Sequence, residues 1–242
     1  MSIPSGLARV NEREGILPMS TTQPTSAFLD ELAAASARFE TAAPGEIIAW
    51  AIETFAPSLT YACSFQDIVL LDLAVTQYPK LEVVFLDTDA HFQETLDYVE
   101  DVRQRYDLNL VVTHPDPADN APACGESGCC QGRKVAPLQR AVSGKDAWLT
   151  SVKRVDAQTR GEAPIVSWDD KFGLVKINPL ATWTDADVAH YEASHGLPVH
   201  PLISQGYLSI GCAPTTRPVA PGEDPRAGRW ADSDKVECGL HG

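Results

Sequence analysis

The chain has 242 residues and a formal net charge of -14 at pH 7, with 44% hydrophobic and 21% charged residues. This composition predicts a globular protein with a well-buried core and excludes global disorder. No apolar run reaches the roughly 20 residues of a membrane span. The acidic balance disfavours nucleic acid and anionic membranes as partners, and the lack of a secretion signal favours a cytoplasmic protein.

The amino-terminal part begins without regular structure and continues with helices. Residues 1–24 mix proline, serine, threonine and charges without hydrophobic periodicity, which predicts a disordered leader. Two helical patterns follow near residues 26–40 and 44–56, and the second has Pro44 in its first turn.

Short apolar runs recur through the middle of the chain. They predict strands at residues 59–63, 82–86, 108–113 and 147–151, with helices between them. Strands that alternate with helices predict an α/β fold with a doubly wound, mostly parallel sheet. Residues 174–177 predict a further strand, at the edge of the sheet. Thr184 and Asp187 form a capping-box pattern that begins a helix, which we interpret as structural.

Polar residues follow two of the predicted strands. Residues 64–67 form a strand-to-helix turn that favours phosphate binding, although a plain capped turn accounts for it equally well. Asp87 and Asp89 follow the second strand, where open parallel sheets bind ligands.

Basic residues cluster in two loops of this acidic chain. Together they predict an anion site, although each one alone is accounted for by a solvated surface charge. These residues are Arg133, Lys134, Lys153, Arg154 and Arg160.

The chain contains six cysteines, and a cytoplasmic setting disfavours a disulfide framework. Cys129 and Cys130 are adjacent and cannot easily bridge each other, so the pair indicates a metal cluster or redox chemistry. Cys212, beside an arginine, is a third candidate soft ligand. Adjacent cysteines fit the usual ligand spacing of zinc poorly.

The carboxy-terminal segment carries a cysteine close to its end. We expect residues 25–220 to form one α/β domain and residues 221–242 a mobile lid and tail. Arg226 and Arg229 lie in a Pro/Gly-rich stretch typical of a lid that closes over an anion. Cys238 lies on too short a stretch to form a core, so it is a candidate nucleophile. A frayed tail with an incidental cysteine is the alternative.

Four spaced motifs together resemble the assimilatory adenylyl-sulfate and phosphoadenylyl-sulfate reductases. They are Cys-Cys-x-x-Arg-Lys at 129–134, Asn-Pro-Leu at 178–180, Gly-Tyr-x-Ser-Ile-Gly-Cys at 206–212 and Glu-Cys-Gly-Leu-His at 237–241. The likeness runs from about residue 44 to the end. It implies an α/β fold of the adenine-nucleotide alpha hydrolase-like type.

The resemblance also implies an activity. Cys238 attacks the sulfur of adenylyl sulfate, AMP leaves, and thioredoxin or a similar dithiol releases sulfite from the Cys238 S-sulfonate during sulfate assimilation toward cysteine. Lys134, Arg226 and Arg229 stabilise the thiolate and the phosphosulfate oxygens. The remaining implied substrate contacts are Ser64, Asp87, Arg154 and Arg160. A homo-oligomer is also implied.

The paired cysteines resemble the branch that carries a [4Fe-4S] cluster. The implied ligands are Cys129, Cys130 and Cys212, but Thr215 stands where the fourth cysteine is expected, and threonine is a poor ligand for iron. Three alternatives follow: three cysteines with a non-thiolate or open fourth site, Cys124 as the replacement, or no cluster.

Other functions compete with this interpretation. A cluster-free phosphoadenylyl-sulfate reductase is the first alternative. An ATP-using adenylating enzyme is disfavoured because residues 63–68 lack the glycine pair of a pyrophosphate loop. A non-catalytic nucleotide or iron–sulfur sensor is disfavoured by the intact terminal motif.

Overall fold

The computed structural model describes residues 23–230, 235 and 237–240. The predicted leader falls almost entirely on residues 1–22, which lie outside the described residues, as does His241. The helices are α1 (Ser26–Phe39), α2 (Pro44–Phe55), α3 (Val69–Gln77), α4 (Gln93–Tyr106), α5 (Ala136–Ala141) and α6 (Asp185–His195). The strands are β1 (Leu59–Ala62), β2 (Glu82–Leu86), β3 (Asn109–Thr113), β4 (Ala147–Leu149), β5 (Val166–Asp169) and β6 (Leu174–Ile177).

The strands form one six-stranded sheet in the order β3-β2-β1-β4-β6-β5. All neighbouring pairs are parallel except β5 and β6, which are antiparallel. The predicted mostly parallel α/β sheet is therefore confirmed. The prediction that residues 174–177 form an edge strand is wrong. β6 pairs on both sides, and the edge belongs to β5, whose Val-Ser-Trp-Asp sequence is too short and polar to predict a strand.

The core lies between the sheet and its helices. Tyr61 of β1 is fully buried in one apolar cluster with Ile47, Ile48 and Leu71. Trp148 of the adjacent β4 is fully buried in a second cluster with Leu138. Central strands covered on both faces are continuous apolar runs, which is why β1, β2 and β4 were predictable from sequence.

Helix α6 begins as the capping box predicts. The Thr184 hydroxyl accepts from the backbone N–H of Asp187 at 3.2 Å, and the Asp187 carboxylate accepts from the N–H of Thr184 at 2.8 Å. The helix packs against the body through Tyr191, whose hydroxyl donates to Asp72 of α3 at 2.8 Å. No helix in the described ranges is both long and apolar enough to cross a membrane.

The strand order reverses between β1 and β4, whose carboxyl ends lie side by side. In open α/β sheets this reversal leaves a crevice beyond the strand ends, where ligands bind. The loops that follow β1, β2 and β4 all open toward this edge.

Candidate active site

A cavity of about 570 Å³ opens at the carboxyl ends of β1 and β4. Its size lies within the range of small-molecule sites. Its walls come from the turn after β1, the loop after β4, one side of α6, residues 208–211 and the carboxy-terminal tail. Helix α6 was interpreted as structural only, but Asp185, Val188 and Glu192 line the cavity.

The turn after β1 is shaped by backbone geometry and one glutamine. Phe65 has a left-handed backbone with φ of 56° and a fully buried ring. The Gln66 side chain accepts from the N–H of Ile210 at 2.9 Å and donates to the carbonyl of Leu208 at 3.4 Å. This arrangement ties the turn to residues 208–210 and leaves Ser64 exposed in the cavity wall.

Five cations from different parts of the chain line the cavity. Lys153 is nearly buried and pairs with Asp156 at 2.8 Å. Such a concentration of positive charge in an acidic protein is suited to an anionic ligand. The five residues are Lys134, Lys153, Arg160, Arg226 and Arg229.

Arg229 is fixed in the cavity wall by two hydrogen bonds. Its Nη1 donates to the carbonyl of Ile210 at 2.9 Å and to the hydroxyl of Ser209 at 3.2 Å. Its Nε is buried and has no hydrogen-bond partner among the described residues. A buried guanidinium with an unused donor in a cavity wall is ready to bind a ligand oxygen.

Gly211 makes room for this guanidinium. A Cβ atom at position 211 would lie 2.5 Å from both Cζ and Nε of Arg229. Any other residue at this position would therefore push Arg229 out of place.

The tail is held in the cavity by an ion pair. Glu237 accepts from Nε and Nη2 of Arg160, both at 2.8 Å, and a weaker contact at 3.4 Å joins it to Arg226. Burial tends to raise the pKa of Glu237, but the hydrogen bond and charge of Arg160 outweigh it, and the pKa is lowered. Glu237 is thus anchored as a carboxylate next to Cys238 in the chain.

Cys238 lines the cavity and is half-buried. Its sulfur interacts electrostatically with four cations, namely Arg160, Lys176, Arg229 and Lys235. A thiol in a partly exposed, electropositive pocket has the environment of a reactive cysteine.

A second contact joins the tail to the paired cysteines. The Lys235 ammonium donates to the sulfur of Cys130 at 3.0 Å. It also lies 5.5 Å from the ring centre of Trp230, which Arg229 approaches at 4.6 Å from the guanidinium carbon. With Arg226 at 5.8 Å, three cations therefore gather around the indole near the cavity.

The paired cysteines lie at the start of a π-helical turn, Gln131–Val135, that runs into α5. Such turns are rare and are frequently found at functional sites. The turn directs Lys134 into the cavity. Cys129, Cys130 and Cys212 are all buried, and the sulfur of Cys212 lies 3.4 Å from the hydroxyl oxygen of Thr88.

Comparison with known proteins identifies the family. The model of the phosphoadenosine phosphosulfate reductase domain matches residues 56–218. The chain belongs to this family. The adenosine 5'-phosphosulfate reductase of Mycolicibacterium smegmatis is 43% identical over 230 residues, covering 91% of this chain and 98% of that protein.

Two solved structures resemble the fold of this chain. The phosphoadenylyl-sulfate reductase of Candida auris has a TM-score of 0.67 and 27% identity, covering 82% of this chain and 100% of that one. The FMN adenylyltransferase of Candida glabrata has a TM-score of 0.58 and 18% identity, covering 77% and 65%. The second likeness is one of fold alone, and it agrees with the adenine-nucleotide alpha hydrolase-like type.

The structure brings most of the predicted site residues together. Six of the eight predicted catalytic and substrate-binding residues line the cavity: Ser64, Lys134, Arg160, Arg226, Arg229 and Cys238. Asp87 and Arg154 lie outside its lining. Asp87 accepts from the N–H of Asp89 at 2.9 Å, and Arg154 forms a two-point ion pair with Glu40 at 2.7 and 2.8 Å.

Arg133 also serves the framework rather than the cavity. Its guanidinium donates to the carbonyl of Pro122 at 2.9 Å and to that of Thr88 at 2.8 Å. These bonds tie the π-helical turn to the loop before it and to the end of β2.

Besides the residues of α6, sequence reasoning missed His91 in the cavity lining and Lys235 beside Cys130. The Nε2 of His91 lies 3.0 Å from the carbonyl of Leu86 and must donate to it, which leaves Nδ1 as a buried acceptor without a partner among the described residues. Burial lowers the pKa of this imidazole, so it is neutral. The one signal in the sequence was its position after Asp87 and Asp89, where ligand-binding residues were expected. No motif in the sequence pointed to Lys235.

Proposed function

We propose that the chain reduces adenylyl sulfate to sulfite and AMP through a sulfonate formed on Cys238. The observation that carries the proposal is the position of this sulfur in the wall of a cation-lined cavity, at the carboxyl ends of parallel strands. The relative from Mycolicibacterium smegmatis, whose name gives adenosine 5'-phosphosulfate as its substrate, supports the same activity.

The first half of the reaction is a displacement at sulfur. The Cys238 thiolate attacks the sulfur of the activated sulfate, a sulfur–sulfur bond forms, and the bond between that sulfur and the bridging oxygen breaks. AMP leaves with the bonding electron pair on its phosphate oxygen. A good leaving group and a thiolate nucleophile suffice, so no general base is required.

The cations of the cavity stabilise the negative charge that develops on the phosphosulfate oxygens and on the leaving AMP during this step. Arg229, with its unused Nε donor, and Lys134 are suited to the oxygens of the phosphosulfate. Fixed donors that stabilise developing negative charge in a dry site account for much of the catalysis in comparable reactions. His91, neutral and with a free acceptor, is suited to a donor group of the nucleotide.

The second half of the reaction needs an external dithiol. A thiolate of the donor attacks the Cys238 sulfur, the bond to the sulfonate breaks, and sulfite leaves with its electron pair. The second thiol of the donor then resolves the mixed disulfide, so that two electrons pass from the dithiol to the former sulfate sulfur. Thioredoxin or a similar protein in the cytoplasm meets this requirement.

An iron–sulfur cluster beside the cavity forms part of the proposal. Cys129, Cys130 and Cys212 are buried soft donors of the kind that iron–sulfur clusters use. Tetrahedral zinc binds thiolates at about 2.3 Å, which sets them about 3.8 Å apart. Among the described residues, no three cysteine sulfurs lie within 4.8 Å of one another. The adjacent pair, Cys129 and Cys130, also fits the usual ligand spacing of a zinc site poorly.

The three cysteines would hold the cluster next to the tail. When bound, the cluster supplies an anionic, thiolate-held centre beside Lys134 and Lys235. Those two lysines then couple the cysteine pair to the cavity, Lys134 through the π-helical turn and Lys235 through the tail.

A reductase for phosphoadenylyl sulfate is the second candidate, favoured by the likeness to the Candida auris structure. Its substrate carries an additional 3'-phosphate, which requires further cations near the ribose. The guanidinium of Arg154, a substrate contact implied by the resemblance, lies outside the cavity lining and is paired with Glu40. This ion pair favours adenylyl sulfate.

The proposed function is tested by trapping the covalent intermediate. Wild-type protein is mixed with adenylyl sulfate in the absence of a dithiol and digested for mass spectrometry. We expect one SO₃ group on Cys238 and one AMP released per chain, with sulfite released when thioredoxin is added. Cys238→Ser should give neither product, and its five remaining cysteines control for nonspecific labelling. A faster reaction with phosphoadenylyl sulfate would support the second candidate, and sulfonation elsewhere would overturn both.

A further inference from the structure

A fourth cysteine lies against the three that are proposed to bind the cluster. The thiols of Cys124 and Cys212 lie close enough to interact, although the two residues are far apart in sequence. The Cys124 sulfur also interacts electrostatically with Cys129 and with Lys134. Cys124 therefore shares the surroundings of the proposed ligands.

Thr215, at the position expected for the fourth cysteine, uses its hydroxyl within its own turn. That hydroxyl donates to the backbone carbonyl of Cys212 at 3.4 Å. Its methyl group faces the loop that carries Cys124. A hydroxyl bound to its own turn, and a hard donor by nature, is unsuited to iron.

The loop around Cys124 lies close to Thr215 because Gly125 has no side chain. A Cβ at position 125 would lie 3.3 Å from the Cγ2 of Thr215, a tight contact. Gly125 also has φ of 102°, a conformation that other residues rarely adopt. The loop of Cys124 and the turn of Thr215 thus fit together at the point where the usual ligand is missing.

This loop is held by several contacts. Arg133 donates to the carbonyl of Pro122 at 2.9 Å. Two successive turns fix the path between Cys124 and the cysteine pair. In the first, the N–H of Glu126 donates to the carbonyl of Ala123 at 3.0 Å, and in the second the N–H of Cys129 donates to the carbonyl of Glu126 at 3.2 Å. Cys124 is therefore positioned by the fold.

We propose that Cys124 supplies the fourth thiolate of the cluster, together with Cys129, Cys130 and Cys212, in place of a cysteine at position 215. This inference rests on the cluster of the proposed function. It gives the chain a four-thiolate donor set, which is the ordinary one for a four-iron cluster.

The test counts iron and acid-labile sulfide in proteins purified without oxygen and reconstituted with iron and sulfide. Wild type should hold about four irons per chain. Cys124→Ala should lose at least one, with the electron paramagnetic resonance signal of a three-iron centre or loss of the visible absorption. Cys63→Ala is the matched control. This thiol is buried and accepts from the N–H of Phe65, so its removal should leave the iron content unchanged.

A second variant distinguishes loss of a ligand from misfolding of Cys124→Ala. Cys124→Ser combined with Thr215→Cys moves the fourth thiolate to the position that the family resemblance implies and should restore the four-iron content and spectrum. Full iron content in Cys124→Ala, with an unchanged spectrum, would overturn the inference and leave the proposed reductase intact. Iron-free wild type that still releases sulfite would overturn the inference and the cluster together, but not the activity.

Discussion

The carboxylate of Glu237 meets the guanidinium of Arg160 edge to edge, with both N–O distances at 2.8 Å. The two residues lie 77 positions apart, one beside the proposed nucleophile and the other in the loop after β4. The ion pair therefore fixes the tail in the cavity and offsets part of its positive charge. A substrate anion and Glu237 share the same cations.

We expect Glu237→Gln to separate these two effects. Loss of the carboxylate weakens tail docking, so formation of the Cys238 sulfonate should slow about tenfold, while AMP should bind at least as tightly because Arg160 is no longer neutralised. Single-turnover kinetics and calorimetry measure the two quantities. Glu223→Gln, which breaks the exposed pair with Arg217 in the same segment, is the control and should change neither. Weaker AMP binding in Glu237→Gln would contradict this division.

Tail docking should also depend on pH in one direction. The pKa of Glu237 lies below its ordinary value of 4.5 in the docked tail, because Arg160 outweighs the opposing effect of burial. A group whose pKa is lowered on docking stabilises the docked form above its ordinary pKa, and this contribution is lost as the pH falls through the lowered value.

The fluorescence of Trp230, isolated by difference from Trp230→Phe, should therefore stay constant from pH 7 to about 5 and change only in more acidic solution. Glu237→Gln should lack this acid transition. A wild-type transition above pH 5 would mean that burial raises the pKa instead.

Much of the framework was predictable because β1, β2 and β4 are continuous apolar runs and Thr184 and Asp187 cap a helix locally. The anion site was predictable as a set, since cations that gather in two loops of an acidic chain indicate a common anionic ligand. Their individual roles were not. Arg154 pairs with Glu40 at a sequence separation of 114, a contact that no local pattern encodes.

The contact of Lys235 with Cys130 has the same long-range origin, and it is open to a direct test. Lys235→Met removes the cation but keeps the length of the side chain. We expect sulfonate formation to slow several-fold while iron content is unchanged, because Lys235 orients the tail and contacts the proposed ligand Cys130 without being a ligand itself. Lys145→Met, which removes the ion pair with Glu82 at 2.8 Å, is the control. Loss of iron in Lys235→Met would show that the lysine is needed for the cysteine site itself.

Asp72 of α3 joins three helices and should contribute to the stability of the fold. Its carboxylate accepts from the hydroxyls of Tyr106 in α4 and Tyr191 in α6, at 2.7 and 2.8 Å. Asp72→Ala removes both bonds and should lower the free energy of unfolding by about 2–3 kcal/mol. Urea denaturation measures this change, and Asp101→Ala, on an exposed face of α4, should shift it by less than about 0.5 kcal/mol. Equal effects of the two substitutions would mean that the bridge contributes nothing.

Gly211 and Arg229 provide a test of the cation assigned to the phosphosulfate. A methyl group at position 211 would lie 2.5 Å from the Arg229 guanidinium, which is held by Ser209 and Ile210 and cannot stay in place. Gly211→Ala and Arg229→Ala should therefore each raise the KM for adenylyl sulfate about tenfold, with little change in the midpoint of urea unfolding.

The double variant Gly211→Ala/Arg229→Ala shows whether Gly211→Ala weakens binding only by displacing Arg229 or also has an effect of its own. If Gly211→Ala acts only by moving Arg229, the combined change in KM should be no larger than that of Arg229→Ala alone, because two substitutions that remove one interaction are not additive. Multiplicative effects would mean that Gly211 contributes to binding by another route, such as close approach of its own backbone to the ligand. The glycine would then be part of the binding surface and not only a space for the guanidinium.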